Sequence, residues 1–246
     1  SQNGDKPLME MAEFRRLCRN SGLPAASDYK KLASRFHRAG MFIYFQTRNN
    51  MILNPEWVTN AIYTILEQGG PHAANGILDC ETIEDILYEA QGESYRKSHV
   101  DFVLKIMDQY GLCFRYRTSE PEQVFIPMLC RREEPENVVA FLQEEDLIQM
   151  ELLFPYLPAG VIYQLMVDLK TGLDTKNVWL SGAMFHNPEG CTAVVIREKN
   201  RLILSIRCTN RVSALKYLGE LVARIEGIAR GDMYNTAPLE RRIGYQ

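Results

Sequence analysis

No phosphate-binding loop of the form Gly-x-x-x-x-Gly-Lys-Ser/Thr occurs in this 246-residue sequence, and no Gly-x-Gly-x-x-Gly fingerprint. Both motifs wrap backbone N–H groups around phosphates, so neither a nucleotide-hydrolysing core nor a dinucleotide site is written here. Gly69-Gly70 follows a helical pattern and reads as a helix stop, and Gly172-Leu-Asp-Thr-Lys176 lacks the glycine before its lysine. No Cys-x-x-Cys pair and no Cys/His cluster at zinc spacing is present. The four histidines, His37, His72, His99 and His186, share no motif with a carboxylate or a cysteine, and Ser181-Gly182 lacks the context of a nucleophile elbow. Glu84-Asp85 and Glu144-Glu145-Asp146 read as solvated faces rather than general acids. No apolar run approaches the roughly 18 residues of a membrane span. Ser1-Gln-Asn-Gly-Asp-Lys6 has no apolar signal core and reads as a cloning remnant ahead of a domain cut from a longer chain. With 28 basic and 31 acidic residues, the net charge of −3 gives no global pull toward nucleic acid or an anionic membrane. The expectation is a chain that is not an enzyme, binds no metal or cofactor of its own and does not enter a membrane.

What is present is the material of a folded core. Hydrophobic residues make up 46% and charged residues 24%, ordinary for a globular protein. Cys18, Cys80, Cys113, Cys130, Cys191 and Cys208 sit mostly inside apolar patterns. They are expected to be six reduced thiols in a cytoplasmic protein.

The first half shows a pattern that occurs twice. Met11, Phe14, Leu17 and Cys18 mark one amphipathic helix, stopped by Gly22 and Pro24. Ser27 or Asp28 can cap a second, in which Tyr29, Leu32, Ala33 and Phe36 share a face and Gly40 is the stop. Met41–Phe45 and Met51–Leu53 flank a polar loop as a hairpin would. The order recurs with a helix over Ile83, Ile86, Leu87 and Ala90 behind an Asp79 cap. A second helix over Val103, Ile106, Met107 and Tyr110 stops at Gly111, and strands follow at Leu112–Arg117 and Val124–Ile126. Helix, helix, hairpin is the order of a winged-helix unit. Between the two copies, Asn54 can cap a helix that opens on Pro55 and carries Trp57, Val58, Ala61, Ile62, Ile65 and Leu66 on one stripe.

Arg131–Asn137 is charged and contains a proline, which marks the best domain boundary. Beyond it Ile148, Met150, Leu152 and Phe154 alternate as a strand, and Val161, Ile162, Leu165, Met166 and Leu169 form a helical stripe. Val178–Phe185, Cys191–Arg197 and Leu202–Arg207 read as three strands, and Val212, Leu215, Leu218, Val222 and Ile225 as a last helix. Gly231–Gln246 shows no amphipathic pattern and reads as a tail. The fold class is therefore α+β. Residues 1–134 form an N-terminal subdomain of two winged-helix-like units, and residues 135–246 a C-terminal subdomain with an antiparallel sheet covered on one face by helices.

Two stretches resemble a known family. Ile52-Leu-Asn-Pro-Glu-Trp-Val-Thr-Asn-Ala-Ile-Tyr63 is similar to the segment near the start of the COR domain of Roco proteins, which follows a Ras-like GTPase domain called Roc. Leu153-Phe-Pro-Tyr-Leu-Pro-Ala-Gly-Val-Ile-Tyr-Gln-Leu-Met166 is similar to a second COR segment, with Gln164 where many relatives carry arginine. The resemblance implies a regulatory and dimerisation module that couples the nucleotide state of Roc to dimer state. GTP, GDP and Mg would bind in a Roc domain of the same polypeptide. The C-terminal half would form a homodimer, with Trp179, Phe185, Val194, Ile196 and Leu204 as the candidate interface. The N-terminal half would face Roc through Tyr44, Phe45, Arg115, Tyr116 and Phe125. The alternative is a winged-helix DNA-binding transcriptional regulator, suggested by Lys30, Lys31, Arg35 and Arg38 on the second helix and Arg48 on the wing. Four cations on one solvated helix face are commonplace, and the matching helix of the second unit mixes Glu93, Asp101 and Asp108 with Arg96, Lys97 and Lys105. A small-ligand pocket beneath the C-terminal strands is neither indicated nor excluded.

Overall fold

A computed structural model describes residues 8–22, 29–45, 50–92, 97–116, 121–231 and 233–245. Internal contacts divide the chain into Ser1–Tyr63 and Thr64–Gln246. The anticipated Ser27 or Asp28 cap, the Arg48 wing position, and Glu93 and Arg96 lie outside the described residues.

In the first unit, β1 (Leu8–Glu10) leads into α1 (Met11–Asn20) and α2 (Tyr29–Arg38). β2 (Ile43–Phe45) and β3 (Asn50–Ile52) make the hairpin, and β1 pairs antiparallel on the other side of β3. The amphipathic helices bury Met11, Phe14 and Cys18 from α1 and Tyr29 and Ala33 from α2 against Phe42, Tyr44 and Met51. Phe14, Phe36 and Phe42 meet edge to face at centroid distances of 5.8 to 6.2 Å, the arrangement ring quadrupoles favour. α3 (Pro55–Gln68) then starts as its sequence dictates: Asn54 Oδ1 accepts the N–H groups of Glu56 and Trp57 at 3.0 and 3.4 Å.

The second unit opens with the same plan. β4 (Ile77–Asp79), α4 (Cys80–Gln91) and α5 (Lys97–Gln109) are followed by β5 (Phe114–Tyr116) and β6 (Gln123–Phe125), with sheet order β4-β6-β5 against β1-β3-β2 in the first copy. The two copies even stop their second helix alike. Gly40 and Gly111 have φ of +72° and +65°. Their N–H groups bond His37 and Asp108 carbonyls, while Met41 and Leu112 N–H reach back to Phe36 and Met107, a Schellman closure in both. The leading strands β1 and β4 were not anticipated. Asp79 stands at the N-cap position of α4 without a side-chain cap bond; its Oδ1 accepts from Gln123 Nε2 at 3.0 Å.

The rest of this unit is a six-stranded antiparallel sheet of order β12-β7-β11-β10-β9-β8. The strands are β7 (Ile148–Leu153), β8 (Leu173–Trp179), β9 (Gly182–His186), β10 (Thr192–Glu198), β11 (Arg201–Arg207) and β12 (Glu240–Tyr245). α7 (Gly160–Asp168) and α8 (Arg211–Arg230) pack on the face formed by Met150, Leu152, Phe185, Ala193, Val195 and Leu204. Asn210 Oδ1 caps α8 by accepting Ser213 N–H at 2.8 Å. Phe114, Phe125 and Cys130 of the second repeat belong to the same core. For that reason the contact division falls at Tyr63/Thr64 rather than near residue 134.

Four expectations are corrected. The apolar run Val178–Phe185 is not one strand but β8 and β9 joined at Leu180-Ser181, because Trp179 pairs with Gly182 across the turn. The charged stretch before the sheet gives way at once to α6 (Glu136–Leu142), which buries Val138 and Phe141 with Trp179, Met184 and Val194 on the other face, so helices cover parts of both faces. The tail is not featureless: β12 pairs with β7 along its whole length, from Glu240↔Leu153 to Tyr245↔Ile148. Arg241 on β12 is tied to the buried carboxylate of Glu226 on α8, which Arg230 also contacts at 3.2 Å. Finally, the cysteines are not six thiols. Cys191 and Cys208 continue the β10–β11 register outward from Thr192↔Arg207 and are joined as a disulfide.

Candidate interaction surfaces

The side chains expected at a dimer interface are mostly spent inside the chain. Phe185 and Leu204 are fully buried under α7 and α8, and Trp179 and Val194 are buried beneath α6. Of the five, Ile196 alone keeps partial exposure. Strand alternation carries no information on whether the element that covers an apolar face belongs to the same chain.

The residues expected to face Roc divide similarly. Tyr44 and Phe125 are core side chains, and Tyr116 is half-buried against the core of the large sheet. The Phe45 backbone lies in β2, and its side chain is outside the described residues. Arg115 is the member with polar reach: Nη1 meets Asp101 Oδ1 at 2.5 Å and Nε meets Glu122 Oε1 at 3.0 Å, with its side chain 15% exposed. Asp101 also pairs with Lys105. Partial burial raises the Asp101 pKa, but the hydrogen bonds from Lys105 and Arg115 outweigh it and hold the carboxyl below the ordinary range. The cluster is a fixed, mixed-charge patch on one side of the second repeat.

The edges of the large sheet are the more informative surfaces, because an edge presents unpaired backbone groups. The β8 edge is closed. Asn75 Nδ2 donates to the carbonyls of Thr175 and Val178, both at 3.2 Å, and Arg131 Nη2 donates to Lys176 O at 2.5 Å. Leu180 N–H in turn reaches Arg131 O at 2.8 Å. Asn75 can do this because Asn75-Gly76 forms a two-residue turn with φ of +50° and +87° between Ala74 and Ile77, the signature of a type I′ hairpin. The β12 edge differs: its outer side bonds no other strand among the described residues, and Leu239 and Ile243 beside it are 75% and 55% exposed. Neither Asn75 nor β12 was singled out from sequence. The Asn-Gly pair was the available signal for the first; nothing in Glu-Arg-Arg-Ile-Gly-Tyr announces the second.

The clefts are open ones. The groove between α7 and α8, about 680 Å³, is lined by Leu169, Tyr217 and Leu221 and bordered by an Arg224–Asp168 pair at 3.1 Å. Gln164, the departure from the family pattern, sits beside Gly111 and donates to Met233 Sδ at 3.3 Å. Burial pushes the thiols of Cys113 and Cys130 up to about 12 and raises those of Cys18 and Cys80, so none is an activated nucleophile at neutral pH. Among the described residues no group of His, Cys, Asp and Glu could hold a metal ion, and no helix is long and apolar enough to cross a membrane.

The chain is α+β, with two repeated helix–hairpin modules and a large antiparallel sheet. The model of the "C-terminal of Roc, COR-A domain" matches residues 1–130, and that of the "C-terminal of Roc, COR-B domain" matches residues 145–239. The chain belongs to the COR domain family of Roco proteins. It is similar to a "Roc-COR-CHAT protease" from an unknown prokaryotic organism, 27% identical over 168 residues, covering 65% of this chain and 15% of the relative. It is also similar to the "probable serine/threonine-protein kinase roco11" of Dictyostelium discoideum, 22% identical over 208 residues, 75% of this chain and 14% of that one. A "Roc-COR-CHAT protease" of Runella zeae is 22% identical over 191 residues, 76% and 19%. The chain thus spans less than a fifth of these relatives. A solved structure, "methanosarcina barkeri Roco2 RocCORdC bound to GDP", aligns with 52% of this chain and 40% of its own at 20% identity and a TM-score of 0.44.

Proposed function

We propose that this chain is the regulatory and dimerisation module of a Roco GTPase, coupling the nucleotide state of a Roc domain in the same polypeptide to the dimer state. The observation that carries the reading is the pair of consecutive family matches, residues 1–130 and 145–239, in a chain that spans only 14% to 19% of its relatives. Residues 1–134 face Roc, with the Arg115 cluster as the contact that survives from the sequence-based set. GTP or GDP and Mg belong to Roc.

Residues 135–246 carry the dimer contact. Since Trp179, Phe185, Val194 and Leu204 are committed to the core, the contact falls instead at the open edge β12, beside Leu239 and Ile243. A two-fold axis through β12 would pair the edge with itself and join two six-stranded sheets. The β8 edge, sealed by Asn75 and Arg131, is not available for this.

The test is the mass of a Roc-containing form of this protein in solution, loaded with GDP and then with a non-hydrolysable GTP analogue. The reading predicts different dimer fractions for the two nucleotides and loss of dimer in Ile243→Lys. Identical masses with both nucleotides would contradict the coupling.

A further inference from the structure

We infer that the outer face of α2 and the cleft between it and β2 bind a small, multiply phosphorylated anion. Charge is distributed unevenly along the chain: residues 1–63 hold nine Lys and Arg against five Asp and Glu, the remainder nineteen against twenty-six. The excess of the first unit is concentrated on one helix. Lys30, Lys31, Arg35 and Arg38 are exposed on α2, which contains no carboxylate. At 100° per residue these positions and Ser34 fan over the half of α2 opposite its buried Tyr29 and Ala33.

These cations border a cleft of about 690 Å³, lined also by Ser34, His37 and Tyr44. Among the described residues Lys30, Arg35 and Arg38 meet no carboxylate. Arg38 Nε is turned onto Ser34 O at 3.4 Å, which holds the guanidinium against the helix. Tyr44 N–H donates toward His37 Nδ1 at 3.4 Å, fixing the strand against the helix beside the cleft.

Tyr44 supplies a second, independent observation. It is 6% exposed, and its hydroxyl is buried with no hydrogen-bond partner. Leaving such a group unpaired costs roughly 1–3 kcal/mol. The Arg15 charge lies near enough to oppose the upward push that burial gives the phenol. A donor without an acceptor, beside a cleft bordered by four cations, is complementary to an anion with several oxygen acceptors.

The occupant is compact rather than a long polymer. The cleft falls within the size range of small-molecule sites, roughly 300–1,000 Å³. A duplex would extend beyond one ten-residue helix into the field of a chain with net charge −3, which opposes it.

The experiment is isothermal titration of the 246-residue chain with inositol hexakisphosphate at low and at physiological salt. Saturable binding in the micromolar range is expected, weakening with salt. Arg35→Glu combined with Arg38→Glu should lower affinity at least tenfold. Tyr44→Phe should lower it severalfold, and Lys216→Glu, on α8, should leave it unchanged; each variant's fold is checked by its melting curve. No binding at low salt would overturn the proposal, as would equal affinity for the double charge reversal. Equal affinity in Tyr44→Phe would remove Tyr44 from the site. Tighter binding of a 20-base-pair duplex that the hexakisphosphate fails to displace would assign the face to nucleic acid instead.

Discussion

Replacing Asn75 tests how the second repeat is held to the large sheet. Its side chain makes three hydrogen bonds: Nδ2 donates to Thr175 O and Val178 O at 3.2 Å each, and Oδ1 accepts Arg131 N–H at 3.0 Å. Its backbone sits at φ +50°. Asn75→Gly keeps that backbone at no steric cost and removes all three bonds. Neutral hydrogen bonds contribute roughly 0.5–1.5 kcal/mol each. One of the three is solvent-exposed, and the freed edge carbonyls can find water. The expected loss is therefore about 1–3 kcal/mol, toward the lower end. Asn75→Ala deletes the same bonds and adds the cost of a Cβ in the left-handed region, about 1–2 kcal/mol more. Urea unfolding is followed by fluorescence, since Trp179 on β8 is 2% exposed and reports this region; amide exchange along β8 should rise in both variants. A loss under about 0.5 kcal/mol for Asn75→Gly would refute the bridging role, and equal losses for glycine and alanine would refute the type I′ turn.

Three further outcomes follow from the same structure. Gly182→Ala should cost about 1–3 kcal/mol by overpacking, because a Cβ there runs into the Trp179 ring and lies 2.7 Å from Val195 O; thermal melts read this, and an unchanged melting temperature contradicts the β8–β9 hairpin. Thiol titration of the denatured, unreduced chain should find four free cysteines rather than six, and reduction should lower stability by about 3 kcal/mol for a 17-residue separation; six thiols would contradict the Cys191–Cys208 bond. Partial burial raises the Asp174 pKa, but bonds from Asn177, the Lys176 N–H and His186 outweigh it and hold the carboxyl below its usual value. A depressed carboxylate contributes stability above its unfolded pKa, near 3.8, and that stability is lost as pH falls through the lower folded value. Asp174→Asn should therefore flatten the acid limb of the stability curve, and an unaltered limb would sink the assignment.

Much of the fold was legible because local chemistry and tertiary context agree. Asn54-Pro55 starts α3, and Gly40 and Gly111 end α2 and α5 with the same closure, as their residue types require. The missed elements lack such signals. β1 and β4 are three residues long, too short for alternation to register. β12 is exposed at every described side chain, so no periodic burial marks it; it is a strand only because β7 offers an edge. The disulfide required knowing that Cys191 and Cys208 fall opposite one another, which is a matter of register. The interface candidates show the sharper limit. Trp179 and Phe185 were expected as aromatic anchors of a dimer interface, and only the position of α6 and α8 shows that the chain covers them itself.

The measurement that bears most directly on the central claim is light-scattering mass after size exclusion, run on this chain as a dilution series. The account predicts a mass approaching twice 28.3 kDa at high concentration, falling on dilution, with the transition shifted by Ile243→Lys but not by Ile196→Lys. A mass of 28.3 kDa at every concentration would contradict dimerisation through residues 135–246.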